Sequence, residues 1–283
     1  MTVPPAATGS LGPDYRKLWS SAAVSNLADG IFVVALPLIA VRLTDSPMLV
    51  AAVAFAGRLP WLVFVLFAGV LADRLDRRVT MRNVQLMRVA VVGLLAAMAL
   101  SDTLSLPVLF VAAFALGVGE TLFDTAAQSI MPNIVSKEML SRANGRLYAV
   151  ELTMNSFVGP PLGGFLGAIS VPLALGGSVV GYALAALGLA LIAGSFKPVQ
   201  EGPRQSVLRD IREGFEFLWS TRVLRVLALM VAISNLTSTA YVSVFVLFAV
   251  TPGPMGLDEV GYGLLITAIA IGGLTGSVIE ERV

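Results

Sequence analysis

Eight apolar stretches, each long enough to cross a hydrocarbon core, constrain this chain more than any other feature. They lie at about 18–42, 48–72, 79–100, 105–127, 145–169, 171–195, 223–250 and 260–279. A spanning helix needs about 20 predominantly apolar residues, and in lipid a backbone has to satisfy its own hydrogen bonds. The expected class is therefore an all-α polytopic membrane protein. Composition agrees, since 57% of the residues are hydrophobic and 13% charged, where soluble domains carry about 25% charged residues. The first stretch is too long for a signal-peptide core and no clear small-residue cleavage site follows it, so it reads as a retained helix. Val171-Pro172 marks a tight joint between the fifth and sixth stretches.

The positive charges set the expected orientation. Arg16 and Lys17 precede the first stretch. Arg74, Arg77 and Arg78 follow the second, with Arg82 just beyond. Lys137, Arg142 and Arg146 follow the fourth. Lys197, Arg204, Arg209, Arg212 and Arg222 follow the sixth. The alternate gaps hold Arg42 and otherwise acidic residues: Asp45, Asp102, Asp258 and Glu259. The N-terminus and the even-numbered gaps are thus expected in the cytoplasm, and the protein in the inner (plasma) membrane. Residues 1–17 read as a cytoplasmic tail and 196–222 as a cytoplasmic linker. Val207, Ile211, Phe215 and Leu218 recur there at spacings of three or four, which predicts an amphipathic surface helix.

The sequence also repeats itself. Residues 23–41 and 232–250 share eight of nineteen positions without a gap, including Ser-Asn-Leu at 25–27 and 234–236. Gly69 to Asp73, at the end of the second stretch, is echoed by Gly276 to Glu280 at the end of the eighth. Parallel six-helix repeats are a transporter plan with the substrate site between the halves near midplane. On this reading residues 18–195 are a first six-helix half, residues 223–283 begin a second, and four helices of the second are missing.

What is absent narrows the chemistry. The chain has no cysteine and no histidine, which excludes disulfides, thiolate metal sites and imidazole proton chemistry. Any proton carrier has to be a carboxyl group. No metal-ligand cluster and no Gly-rich phosphate loop appears, so neither an enzyme, a cofactor site, a metal site nor an ATP-driven pump is expected. A net charge of +1 gives no reason to expect nucleic acid.

Ionisable groups at bilayer depth are costly and are functional candidates by default. Asp29 lies about 11 residues into the first stretch and Arg58 about 10 into the second, which puts both near midplane at 1.5 Å per residue. They are expected either to pair with each other or to serve a proton or substrate. Asp29 has Ser238 as its counterpart in the second repeat, which favours a role outside shared architecture. Arg88 either neutralises an acid or binds an anionic substrate group. Glu120 and Asp124, four apart, share a helix face, and Glu120 is a candidate proton carrier. Glu151 is a shallower candidate. Asn26 and Asn155 either bond substrate or join neighbouring helices.

The string Gly69-Val-Leu-Ala-Asp73-Arg74-Leu-Asp76-Arg77-Arg78 resembles motif A of the major facilitator superfamily, with Asp76 where the family has glycine. Ile130-Met-Pro132-Asn-Ile-Val135, Ala143-Asn144 and Gly159-Pro160-Pro161-Leu-Gly163-Gly164 resemble the branch of the enterobactin exporter and macrolide-efflux proteins. The last string is similar to the core of motif C, with Asn155 replacing its leading glycine. The resemblance covers the whole chain and implies a major facilitator fold, here a first six-helix half plus two helices of the second. It implies that Asp73 helps hold the halves together and that Arg77 pairs with an acid at the inner end of the fourth helix. Asp124 lies there, about 28 Å along that helix, so the implied gate network is Asp73, Arg77 and Asp124. Gly69 is expected to let its helix approach a neighbour closely. Gly159, Pro160, Gly163 and Gly164 supply a bend and close packing.

The resemblance implies secondary active, proton-coupled export of a small amphipathic molecule (a drug, siderophore or similar metabolite) by a chain that is monomeric at full length. Its expected partners are that substrate, protons and the lipid bilayer. The alternatives are a non-transporting truncated fragment and a membrane scaffold that needs a second chain.

Overall fold

The computed structural model describes residues 11–72, 74–197, 207–250 and 253–280. Apart from one isolated bridge between Val250 and Leu257, the ordered elements among them are helices. They are α1 (Pro13–Leu43), α2 (Pro47–Val63), α3 (Val65–Ala72), α4 (Arg77–Leu100), α5 (Leu106–Ile134), α6 (Leu140–Leu152), α7 (Gly159–Ile169), α8 (Val171–Ala190), α9 (Val207–Ser220), α10 (Arg222–Ala249) and α11 (Glu259–Glu280). A short 3₁₀ turn, Lys137–Met139, precedes α6.

Prolines open several of these helices. Pro13, Pro47, Pro107 and Pro172 sit in the first turn, where the missing N–H costs nothing. The second predicted stretch is interrupted at Phe64, between α2 and α3. The fifth is a composite. Its residues Thr153–Val158 form a π-helical segment between α6 and α7. Pro160 and Pro161 follow immediately and cannot donate to the carbonyls one turn back, so the backbone widens there instead of continuing as α-helix. Among the described residues four helices (α1, α4, α5 and α8) are long and apolar enough by themselves to cross a membrane. At Thr221 the chain turns by 100° between α9 and α10. Helix α9 carries the i,i+4 pairs Arg209–Glu213 and Arg212–Glu216 at 2.8 and 2.7 Å, and Phe215 stacks on Trp219 at 5.6 Å. The side chains of Val207 and Ile211, expected on its apolar face, lie outside the described residues.

Helix α1 is the hub, packed on α7 and α8, while α4 packs on α5 and α8 and α2 packs on α5. Helices α10 and α11 dock on α2 and α7 respectively. In lipid, association depends on close van der Waals packing more than on hydrophobic burial. The α1–α7 crossing meets that demand with facing glycines. A Cβ on Gly159 would stand 2.5 Å from the Gly30 Cα, and one on Gly163 would stand 2.7 Å from the Ile31 carbonyl oxygen. By contrast, nothing among the described residues lies within 4 Å of a Cβ built on Gly69. The close approach expected at that glycine is therefore absent from the described packing.

The interior is divided in two. One apolar cluster takes Leu18 of α1, Met81 and Val84 of α4, Phe123 and Ile130 of α5, and Leu189 of α8. The other takes Phe32 of α1, Val92 and Leu95 of α4, Leu109 and Leu116 of α5, and Leu175 of α8. Around the boundary between these clusters α1, α4 and α5 each carry polar residues: Ser25 and Asp29 on α1, Gln85 and Arg88 on α4, Glu120 and Thr121 on α5. This layer forms a polar belt across the bundle.

A buried ion cluster as the candidate functional site

The belt is organised around Arg88, which is 2% exposed and heads the largest fully buried side chains. A guanidinium at that depth needs both a counter-ion and hydrogen-bond acceptors. Its Nη1 donates to Asp29 Oδ2 at 3.3 Å and to Ser25 Oγ at 3.2 Å. The remaining Asp29 oxygen, Oδ1, accepts from the Tyr182 hydroxyl at 2.7 Å. The guanidinium also lies over two rings, 5.3 Å from Tyr182 and 5.6 Å from Phe123, a cation–π arrangement. Gln85 Nε2 donates to the same Ser25 hydroxyl at 2.7 Å. Arg88 Nε and Gln85 Oε1 are buried without a partner among the described residues.

Local sequence explains the convergence. Ser25 and Asp29 are four apart on α1, and Gln85 and Arg88 three apart on α4, so each pair shares a helix face. Tyr182 reaches them from α8, whose Gly181 and Ser178 sit against Ala28. A second ion pair lies alongside, with Arg58 Nη1 3.7 Å from Glu120 Oε1. Asp124 and Glu151 are within electrostatic reach of Glu120 and Asp29.

Two expectations need correction. Asp29 and Arg58 do not pair with each other, because α1 turns its polar face toward α4 and α8 while α2 packs on α5. Arg77 does not bond Asp124 but donates to Asn133 Oδ1 at 3.0 Å. The reason is helix length: α5 continues to Ile134, which leaves Asp124 about 15 Å from its C-terminal end at 1.5 Å per residue. The Asn26 Nδ2 donates to the Ala22 carbonyl of its own helix at 2.9 Å, which leaves its second N–H and its carbonyl oxygen outside that bond. Asp73 lies outside the described residues. Arg78 donates to the Ile192 carbonyl. The carbonyl of Asn155 faces Gly30 at the α1–α7 crossing, and Gly164 of α7 meets the Glu259 backbone at the start of α11.

Sequence reasoning missed Ser25, Gln85, Phe123 and Tyr182. The available signal was a lone tyrosine in the small-residue run of α8, and polar neighbours one turn from each charge. It also missed the work of Asp76. This side chain caps α4 by accepting from the Val79 N–H at 3.2 Å, and its other oxygen accepts from the Ser195 hydroxyl and the Phe196 N–H at 2.9 and 3.0 Å. Partial burial pushes its carboxyl up, but those three bonds and the Arg78 charge outweigh this and hold it below the usual carboxylate range. A depressed folded pKa means stability that is present above the unfolded value and lost as pH falls through the folded one. Replacing Asp76 by Ala is expected to lower stability by about 0.5–2 kcal/mol, the range for a lost N-cap. The deficit should shrink below about pH 4, and thermal melts of both proteins from pH 7 to pH 3 check this.

The profile of the transmembrane secretion effector family, within the major facilitator superfamily, matches residues 11–283. The chain belongs to that family. Among curated relatives, the multidrug efflux pump Tap of Mycolicibacterium fortuitum is 30% identical over 273 residues, covering 91% of this chain and 64% of that protein. The enterobactin exporter EntS of Shigella boydii is 27% identical over 281 residues, covering 95% of this chain and 64% of that protein. The chain thus spans a little under two thirds of the length of these relatives. A crystal structure of a bacterial homologue of the human lysosomal transporter Spinster, inward-facing and unoccupied, superposes with a TM-score of 0.67. At 15% identity over 99% of this chain and 64% of that one, it shows the shared major facilitator fold.

Proposed function

We propose that this chain acts in secondary active export, moving a small amphipathic molecule by alternating access with a proton as the coupling ion. The observation that carries the reading is the Asp29 carboxylate, held between Arg88 and Tyr182 in the polar belt. Four carboxylates (Asp29, Glu120, Asp124 and Glu151) meet two guanidinium groups (Arg58 and Arg88) there. This excess of acids suits a site that takes up protons. Arg88 is within electrostatic reach of Asp29, Glu120 and Asp124 together. Protonating Asp29 removes its share of that attraction, so Arg88 shifts toward the acids of α5. Such a redistribution couples a proton to a change in how α1, α4 and α5 pack.

Substrate direction and class follow the relatives, which are named for efflux of drugs and of a siderophore. The positive charges favour a cytoplasmic N-terminus in the inner membrane, and the acting unit is one full-length chain. No step of this reading is catalytic. At the end away from the Arg-rich loops, Arg42 of α1 bonds Glu259 of α11 at 2.8 Å. We take this contact and the α7–α11 crossing as the closed outer side of the pathway.

The test is ethidium transport into everted membrane vesicles with an imposed pH gradient. The gene product is expected to accumulate dye only when the gradient is present. In the Asp29→Asn protein the initial rate should fall by about tenfold or more, the factor that corresponds to a coupling of ~1.4 kcal/mol. Unchanged rate and pH dependence in that protein would exclude Asp29 as the proton carrier.

A further inference from the structure

Apart from the ion cluster of that transport reading, the junction of α1 with α6 borders an open cavity of about 690 Å³. Arg16 of α1 and Arg142 and Arg146 of α6 line it, and none of its described lining residues is acidic. Two aromatic side chains of α1 tie its walls together. The Tyr15 hydroxyl donates to the Ala143 carbonyl at 2.9 Å, and Trp19 Nε1 donates to the Arg146 carbonyl at 3.2 Å. The cavity is therefore part of the packed structure, framed by hydrogen bonds between two helices.

Its polarity changes along its length. The lining residues of α6 and the π segment run from Arg142 to Met154, a rise of about 18 Å. Guanidinium groups stand at one end beside Leu11 and Gly12, and Ala149, Val150, Thr153 and Met154 at the other, where the Thr153 hydroxyl donates to the Ala149 carbonyl at 2.7 Å. A soluble phosphate would satisfy the charged end and leave the apolar end wet. A molecule with a phosphate head and an acyl chain matches both. Trp19, an amphipathic ring at the level of the charges, is typical of the membrane interface.

We propose that this cavity binds an anionic glycerophospholipid, its phosphate between Arg16, Arg142 and Arg146 and an acyl chain along Ala149 to Met154. Guanidinium forks suit phosphate oxygens because they donate in pairs. The lipid would sit in the leaflet that faces the Arg-rich loops, and its binding does not require the chain to transport anything.

The test is native mass spectrometry of the purified chain from detergent micelles containing equal phosphatidylglycerol and phosphatidylcholine. Wild-type protein is expected to retain phosphatidylglycerol in preference. The Arg16→Gln/Arg142→Gln/Arg146→Gln protein should lose about a hundredfold of that affinity, at roughly fivefold per basic side chain. An Arg209→Gln/Arg212→Gln/Arg222→Gln protein removes the same charge from the linker and should retain the lipid. Equal retention by the cavity variant overturns the proposal. So does displacement of the lipid by tens of millimolar inorganic phosphate, which would identify a soluble anion as the occupant. If the cavity variant does not fold, a Trp61→Phe/Trp219→Phe chain leaves Trp19 as the reporter. Phosphatidylglycerol with brominated acyl chains should quench it more than the brominated phosphatidylcholine does, and equal quenching overturns the assignment.

Discussion

Replacing Arg88 by Gln is expected to destabilise the protein by about 3–5 kcal/mol, the range for removing one member of a buried ion pair. The loss has three parts. Asp29 keeps the Tyr182 hydroxyl but loses its counter-ion. Ser25 loses one of its two donors. Phe123 and Tyr182 lose the cation packed against their rings. A drop in melting temperature on the order of 10 °C in detergent would register it. The double variant Asp29→Asn/Arg88→Gln decides the cause. Without the stranded carboxylate, much of the stability should return, giving a coupling energy well outside the 0.3–0.5 kcal/mol of independent sites. Arg88→Lys should fall between, because an ammonium keeps the charge but not the flat face that lies against two rings. An Arg88→Gln protein that melts like wild type would show that the cluster is not what holds α1, α4 and α8 together.

The reason for keeping such a cluster separates fold from function. A buried ion pair is weak evidence for stability, since well-packed apolar residues of similar volume often do as well. Here the pair sits in a polar layer that interrupts an otherwise apolar bundle and leaves Arg88 Nε and Gln85 Oε1 unbonded among the described residues. A layer built only to hold helices together would be expected to close its hydrogen bonds. One that changes partners during a cycle keeps acceptors and donors in reserve, and three acids within electrostatic reach (Asp29, Glu120 and Asp124) give Arg88 more than one place to go.

Much of the architecture was legible because lipid makes the code simple. Apolar length marks the helices, and Arg-rich loops alternate with acidic ones. Prolines at Pro13, Pro47, Pro107 and Pro172 open helices as their missing N–H requires. The charged residues of the candidate site could also be named, since each stands out in its stretch. Their pairing could not. Which acid meets which arginine depends on helix rotation, and the apolar periodicity of a lipid-embedded helix scarcely reports that rotation. Adjacency in sequence suggested Asp29 with Arg58, whereas α1 faces α4 and α8. Helix ends misled in the same way: α5 runs seven residues past the predicted 127 to Ile134, and those two turns carry Asn133, not Asp124, to Arg77. Tyr182 and Ser25 escaped notice because single hydroxyls in apolar helices are common and gain meaning only from what lies opposite.

The glycines give the sharpest contrast between motif and packing, and with it the second large effect. Gly159→Leu is expected to cost about 3 kcal/mol, at or beyond the upper end of the overpacking range. Its Cβ alone would meet the Gly30 Cα at 2.5 Å and the Gly30 carbonyl carbon and Met154 carbonyl oxygen at 2.8 Å. These are backbone atoms and cannot swing aside as a side chain would, so α1 and α7 must separate. Separation would spread, because α1 also carries Asp29 and α7 also carries the crossing with α11. The variant should therefore lose dye transport as well as stability. Gly69→Leu is the control: with nothing among the described residues within 4 Å of a Cβ there, the change should stay within about ±0.5 kcal/mol or gain slightly from better helix propensity. Melting curves in detergent and the vesicle assay read both proteins side by side. If Gly69→Leu proved the more damaging, the close contact that matters would be at the motif in α3 and not at the α1–α7 crossing. The opposite ranking would place the demand for glycine where two backbones touch, beside the carboxylate on which the proposed proton coupling rests.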